Sequence, residues 1–159
     1  IARGEMGERI VHNDTKLDNL LFDATADEAL CVVDLDTVMP GLPLYDFGDL
    51  ARSAACGAVE DEFRLDKVFV EPTLFGALAK GFLEGSGDGL NAAERENLVG
   101  ATQVFAYTLG LRFLTDFLEG DRYFRIRREG HNLDRARVQF ALLRDLQARE
   151  DELRAAATR

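Results

Sequence analysis

The residues His12-Asn13-Asp14-Thr15-Lys16-Leu17-Asp18-Asn19 put a carboxylate, an ammonium and an amide into one short loop. Their spacing, H-x-D-x-x-x-x-N, suits transfer of a phosphoryl group. That reaction needs a carboxylate beside the attacking hydroxyl, here Asp14, and an amide oxygen on a metal at the phosphates, here Asn19. A loop of a few residues presents both from one side. Asp and Asn are also ordinary turn formers, so the loop alone admits a purely structural reading. A second segment, Leu30-Cys31-Val32-Val33-Asp34-Leu35-Asp36, strengthens the chemical one. An apolar strand that ends in acidic residues sets a carboxylate at its tip, beside its neighbour's loop. Asp34 then joins Asn19 as an oxygen ligand for magnesium, a hard cation. Strand alternation turns Asp36 to the same side, where it either adds charge at the metal or is simply solvated.

Further along, Arg112 is an isolated cation in an otherwise apolar helical stretch. It either faces a site or packs its stem on the surface with its head in water. Tyr123 alone reads equally well as an ordinary half-buried tyrosine. Lys16 either stabilises phosphate charge or is solvated. A literal Asp-Phe-Gly at Asp46-Phe47-Gly48 follows Pro40-Gly41-Leu42-Pro43 and opens a helix instead of closing a strand. Asp46 therefore reads as an N-cap or as a buttress beneath the His12 loop, and not as a metal ligand. Gly85-Ser86-Gly87-Asp88-Gly89 lacks a following Lys-Ser or Lys-Thr and reads as a linker between helices. His131, at a helix start, reads as structural.

The elements that must position these groups follow from the hydrophobic pattern. Short strands are expected at residues 8–11 and 20–22, and the apolar run 29–35 pairs with the latter across a polar turn as a hairpin. After Tyr45 the chain reads helical. Asp46 to Ala54 forms a helix ended by Gly57, and residues 72–83 form another with Pro72 in its first turn. Asn91 and Glu94 form a capping box that opens a long apolar helix to Leu118, with Gly100 or Gly110 as the break point. A last helix from Asn132 carries Leu133, Ala136, Phe140, Leu143 and Leu146 on one stripe and frays beyond Glu150. The expected fold class is α+β, mainly helical: a short β-hairpin region and a helical bundle in one domain over residues 1–159.

A net charge of −10 argues against nucleic acid and anionic membrane surfaces as partners, and no apolar run approaches membrane-span length. Cys31 and Cys56 are expected as buried free thiols in a reducing cytoplasm. The opening Ile1-Ala2-Arg3-Gly4-Glu5 has neither a start methionine nor a signal-peptide pattern, so the chain is expected to be part of something longer.

Three stretches together, His12 to Phe22, Val33 to Gly41 and Tyr45-Asp46-Phe47-Gly48-Asp49, resemble the aminoglycoside phosphotransferase and choline kinase superfamily. Within it the likeness is to bacterial N-acetylhexosamine 1-kinases, and it extends through Gly110 to Asp116, Leu118 to Phe124 and Arg128 to Arg135. The resemblance implies the C-terminal lobe of a protein-kinase-like fold, with ATP and Mg2+ as cofactors. It implies Asp14 as catalytic base, Asn19 and Asp34 as magnesium ligands, Arg112 and Tyr123 as sugar-binding residues, and His12 as a loop-shaping residue. The glycine-rich phosphate loop and strand lysine of the N-terminal lobe are not in this sequence. The chain is therefore expected to fold alone but to be inactive without that missing lobe. The implied substrate is a sugar hydroxyl, at C1 of an N-acetylhexosamine. The rivals are a kinase for an aminoglycoside or choline, and a non-catalytic remnant of the fold.

Overall fold

The computed structural model describes residues 6–26 and 28–158. Its β region consists of two antiparallel two-stranded ladders. β1 (Arg9–Val11) pairs with β4 (Met39–Gly41), with Val11 opposite Met39. β2 (Leu20–Phe22) pairs with β3 (Ala29–Val32), with Leu20 opposite Val32. The expected hairpin is thus present, but its second strand stops at Val32. Asp34 turns left-handed (φ 64°), and residues 35–37 form a single 3-10 turn. Strand alternation consequently does not reach Asp36, and the expectation that it shares a side with Asp34 loses its basis. The β1–β4 pairing was not legible in advance. It requires Gly41, because a Cβ there would stand 2.6 Å from a Val11 methyl.

The helical part carries the core. α1 (Pro43–Ala54), α2 (Pro72–Ser86), α3 (Ala92–Glu96), α4 (Leu98–Leu118), α5 (His131–Ala148) and α6 (Glu150–Ala157) surround fully buried Phe47, Phe75, Leu98, Leu142, Leu146 and Leu153. Phe47 meets Phe75 edge-on at 5.5 Å, a favoured aromatic geometry. Close helix approach depends on two glycines. A Cβ at Gly48 would lie 2.9 Å from the Ala101 carbonyl on α4, and one at Gly110 would lie 2.9 Å from the Phe140 ring on α5.

Several boundaries differ from expectation. Leu42, not Asp46, is the N-cap of α1. The helix also ends before Gly57, whose N–H donates to the Phe69 carbonyl in the connection to α2. The capping box of Asn91 and Glu94 forms, but on the five-residue α3, and the break before the long helix falls at Asn97. Neither Gly100 nor Gly110 interrupts α4. Residues beyond Glu150 do not fray: α6 buries Leu153 completely and lays Ala156 against Gly76 of α2. Cys31 is exposed on β3, because that strand has no layer packed over it. Cys56 is half-buried, and burial pushes its thiol upward. Both are free thiols. No helix among the described residues is long and apolar enough to cross a membrane.

The β region joins the bundle through Glu94, which is buried and accepts from both Arg9 guanidinium nitrogens (2.7 and 2.9 Å) and from the Gly7 N–H. Burial raises the Glu94 carboxyl, but the hydrogen bonds from Arg9 and from the N–H groups of Asn91 and Gly7 outweigh it. They hold the group below the ordinary glutamate range. Its stabilising contribution is therefore complete above an ordinary glutamate pKa and lost as pH falls through the lowered value. Glu94→Gln should cost about 2 kcal/mol near neutrality, since the pair is only partly buried on the Arg9 side. The difference from wild type should shrink in acid, and urea unfolding at neutral and acidic pH measures both.

Candidate active site

β1 delivers the chain into the loop of residues 12–16, and Asp46 in the first turn of α1 fixes that loop's backbone. One Asp46 oxygen accepts the His12 N–H and the other the Asn13 N–H, each at 2.8 Å. Thr15 Oγ1 donates to the Asp46 carbonyl at 2.5 Å. Asn13 adopts a left-handed conformation (φ 64°), which an Asn tolerates better than most residues. Its side chain donates to the Thr37 carbonyl, and Thr37 Oγ1 donates to the His12 carbonyl. The His12 ring lies between the Val33 carbonyl (Nε2, 3.2 Å) and the Asp14 N–H (Nδ1, 3.3 Å). It braces the loop against the end of β3. The triplet at 46–48 is accounted for throughout: Asp46 ties down the loop, Phe47 fills the core and Gly48 admits α4.

This frame presents Asp14. Its Oδ2 accepts from Lys16 Nζ at 2.7 Å and from Asn19 Nδ2 at 2.8 Å, while Oδ1 has no hydrogen-bond partner among the described residues. Burial raises the Asp14 carboxyl, yet the hydrogen bonds from Lys16 and Asn19, with the positive charges of Lys16 and Arg52, hold it below the ordinary range. Burial likewise lowers the Lys16 ammonium, but Asp14, with Asp34 and Asp49 beyond it, raises it on balance. Around neutrality the two are a charged pair.

Asn19 is buried and also donates to the Asp14 carbonyl at 2.8 Å, so its amide nitrogen is committed and its oxygen is left over. The Asn19 carbonyl accepts the Val33 N–H, which sets Asp34 one residue beyond a direct contact with the loop. Asp34 is exposed, close enough for its charge to act on Lys16. The amide oxygen of Asn19 and the carboxylate of Asp34 are hard-oxygen donors of the kind that magnesium takes. No cluster of three or more acidic, His or Cys ligands occurs among the described residues.

Asp14 and Lys16 open on a cleft of about 810 Å³ that Arg112 and Tyr123 also line. Arg112 lies over the rings of Tyr123 and Phe124 (5.5 and 5.3 Å to the centroids), with a guanidinium nitrogen 3.4 Å from the Tyr123 hydroxyl. Asp14 and Lys16, Arg112 and Tyr123 thus come from three separate segments and line one cavity, whereas Asn19 and Asp34 are not among its lining residues.

Sequence reasoning missed the groups that hold the cavity together. Asp49 is buried, and both Nε and Nη2 of Arg52 reach its Oδ1 (2.8 and 2.7 Å). Burial pushes this carboxyl up, against the pull of Arg52. Arg52 continues to Glu60 at 3.1 Å, and Glu60 pairs with Arg135 at 3.2 Å. Asp116 is the second hub. It accepts the N–H groups of Arg122, Tyr123 and Phe124 at 2.7–2.9 Å and the side chain of Asn132 at 2.9 Å. An acidic residue one turn after Arg112 in the same largely apolar stretch was the available signal for it. Buried His131 stands beside Asp61 and accepts the Arg127 N–H, a structural position.

Residues 4–71 match the family model of the phosphotransferase enzyme family, APH. The matched span contains the His12 loop, both ladders and α1, and stops before Arg112, Tyr123 and Asp116. Over these residues, fewer than half of the chain, the sequence is similar to that family. The α+β, mainly helical architecture with small antiparallel sheets is consistent with a kinase-like C-terminal lobe.

Since Asp116 gathers three consecutive amides, its loss should free the segment that carries Tyr123. Asp116→Ala is expected to accelerate hydrogen exchange at residues 122–124 by about tenfold or more, while amides of α1 keep their protection. Unchanged exchange at 122–124 would show that packing of Phe124 on Phe113 suffices to hold the segment.

Proposed function

We propose that this protein is the acceptor-binding, catalytic-loop part of an ATP-dependent small-molecule kinase, and that its acceptor is a sugar hydroxyl, at C1 of an N-acetylhexosamine. The observation that supports it most is the state of Asp14: one carboxylate oxygen is held by Lys16 and Asn19, and the other is free beside the cleft. The free oxygen is placed to accept the hydrogen bond of an acceptor hydroxyl. As the acceptor oxygen bonds to the γ-phosphorus, the bridging P–O bond to the β-phosphate breaks, ADP leaves, and the hydroxyl proton passes to Asp14. A carboxylate held below its ordinary range is a weak base, so its main contribution is orientation. A hemiacetal hydroxyl at C1 is more acidic than an ordinary alcohol, and such an acceptor suits that base. Lys16 keeps Asp14 ionised and offers positive charge near incoming phosphate.

Asn19 and Asp34 would hold Mg2+, which offsets phosphate charge when bound. Nucleotide contacts of the glycine-rich-loop kind would come from a lobe outside these residues, so the 159-residue chain by itself should be inactive. Arg112 and Tyr123 would form the wall against which the sugar ring rests.

Two substitutions in the intact protein test this reading. Asp14→Asn should lower kcat for sugar phosphorylation by about a thousandfold or more, as expected when a group acting on the reacting oxygen is lost. Arg112→Ala should raise KM for the sugar by about tenfold and leave KM for ATP nearly unchanged. Turnover of choline or an aminoglycoside, with none of any hexose, would instead support the rival acceptor class.

A further inference from the structure

Gln139, on α5, is 2% exposed and lines the cleft that holds Asp14, Lys16 and Arg112. Its Oε1 is buried with no hydrogen-bond partner, and its amide nitrogen has none among the described residues either. A buried amide normally finds partners within the protein, and one that does not calls for an explanation. Exchanging the amide's oxygen and nitrogen leaves the conclusion unchanged, since neither end is bonded. The charged neighbours do not supply the missing partner. Arg52 is occupied by Asp49 and Glu60, while Arg135 donates to Asn132 and the Arg125 carbonyl and stands 3.2 Å from Glu60; its Nε makes no hydrogen bond, and none of its nitrogens bonds Gln139. The position is also crowded from behind, because a Cβ at Gly110 would lie 3.2 Å from the Gln139 Cβ.

We infer that Gln139 is a specificity-determining residue whose amide is completed by an uncharged hydrogen-bonding substituent of the acceptor, a hydroxyl or an acetamido group on a sugar ring. This rests on the sugar-kinase reading and deepens it. A primary amide offers one donor face and one acceptor face and no charge. The arginines around it are neutralised by Asp49 and Glu60, so this part of the cleft presents paired charge to a ligand. Such a floor matches a neutral polar group better than the ammonium of choline or an aminoglycoside. A site that leaves its own polar group unpaired discriminates strongly against ligands that fail to satisfy it.

The test uses Gln139→Met, which keeps the length of the side chain, and Gln139→Leu, assayed in the intact protein. The measurements are steady-state kinetics with N-acetylglucosamine, N-acetylgalactosamine, glucose and galactose, sugar-induced thermal shifts, and melting temperatures without ligand. Both variants should melt no lower than wild type, because removing an unsatisfied buried amide relieves a cost. Both should raise KM for the preferred sugar by about tenfold or more, with kcat and the KM for ATP nearly unchanged. A loss confined to the N-acetyl sugars assigns the amide to the acetamido group. An equal loss with glucose and galactose assigns it to a ring hydroxyl. Sugar turnover with unchanged KM in both variants would overturn the inference while leaving the sugar-kinase reading intact. A wild-type protein that neither binds nor phosphorylates any of these sugars would overturn both.

Discussion

The carboxylate of Asp46 is the point on which the arrangement depends. The loop of residues 12–16 has no strand or helix of its own to satisfy its backbone, and an unpaired N–H in a half-buried loop is costly. Asp46 supplies acceptors to two consecutive N–H groups, and its own carbonyl accepts from Thr15. Because Asp46 belongs to the first turn of α1, and the next residue, Phe47, is fully buried, the loop inherits the rigidity of the helical core. The N-terminal end of α1 also favours a negative side chain electrostatically. The position of Asp14 is thus set less by the thin β ladders than by a helix packed on α4.

That division explains why some features were legible in sequence and others were not. Spacing identified the loop, because Asp14, Lys16 and Asn19 lie within a few residues and their contacts are local. The β2–β3 hairpin was legible for the same reason. The β1–β4 ladder joins residues about thirty positions apart and is permitted by the missing side chain of Gly41, which no local periodicity reveals. α6 was read as frayed because its surface is strongly charged, yet Leu153 is fully buried and Ala156 lies against Gly76 of α2. Tertiary packing overrode local composition. Cys31 fails in the opposite direction: an apolar run suggested burial, but a two-stranded sheet has no second layer to bury it.

Within the cleft, the charges separate into two kinds. Asp49, Arg52, Glu60 and Arg135 neutralise one another in a chain whose innermost members are almost fully buried. Such pairs contribute little net stability compared with apolar packing, but removing one partner strands the other. Their value here lies in geometry, since they hold α1, the segment after it and α5 in fixed relation. Asp14, Lys16 and Arg112 are more exposed and line the cleft. Buried charge sets the walls, and exposed charge is left to meet ligands.

The two oxygen donors proposed above to hold the metal differ in the same way. Asn19 is buried, with its nitrogen bonded twice to Asp14 and its backbone bonded to Lys16 and Val33. Its oxygen is consequently fixed relative to the acceptor carboxylate. Asp34 sits on a left-handed residue between the end of β3 and a 3-10 turn, exposed, and without a hydrogen-bonded side-chain partner among the described residues. The rigid donor is the one that also orients Asp14, and the free donor is the one at the strand tip. Under the proposed reading, a cation carrying phosphates would be met by adjustment of Asp34 alone, without disturbing the contact between Asn19 and Asp14. This asymmetry follows from register: the last ladder hydrogen bond, from the Val33 N–H to the Asn19 carbonyl, stops one residue short of Asp34.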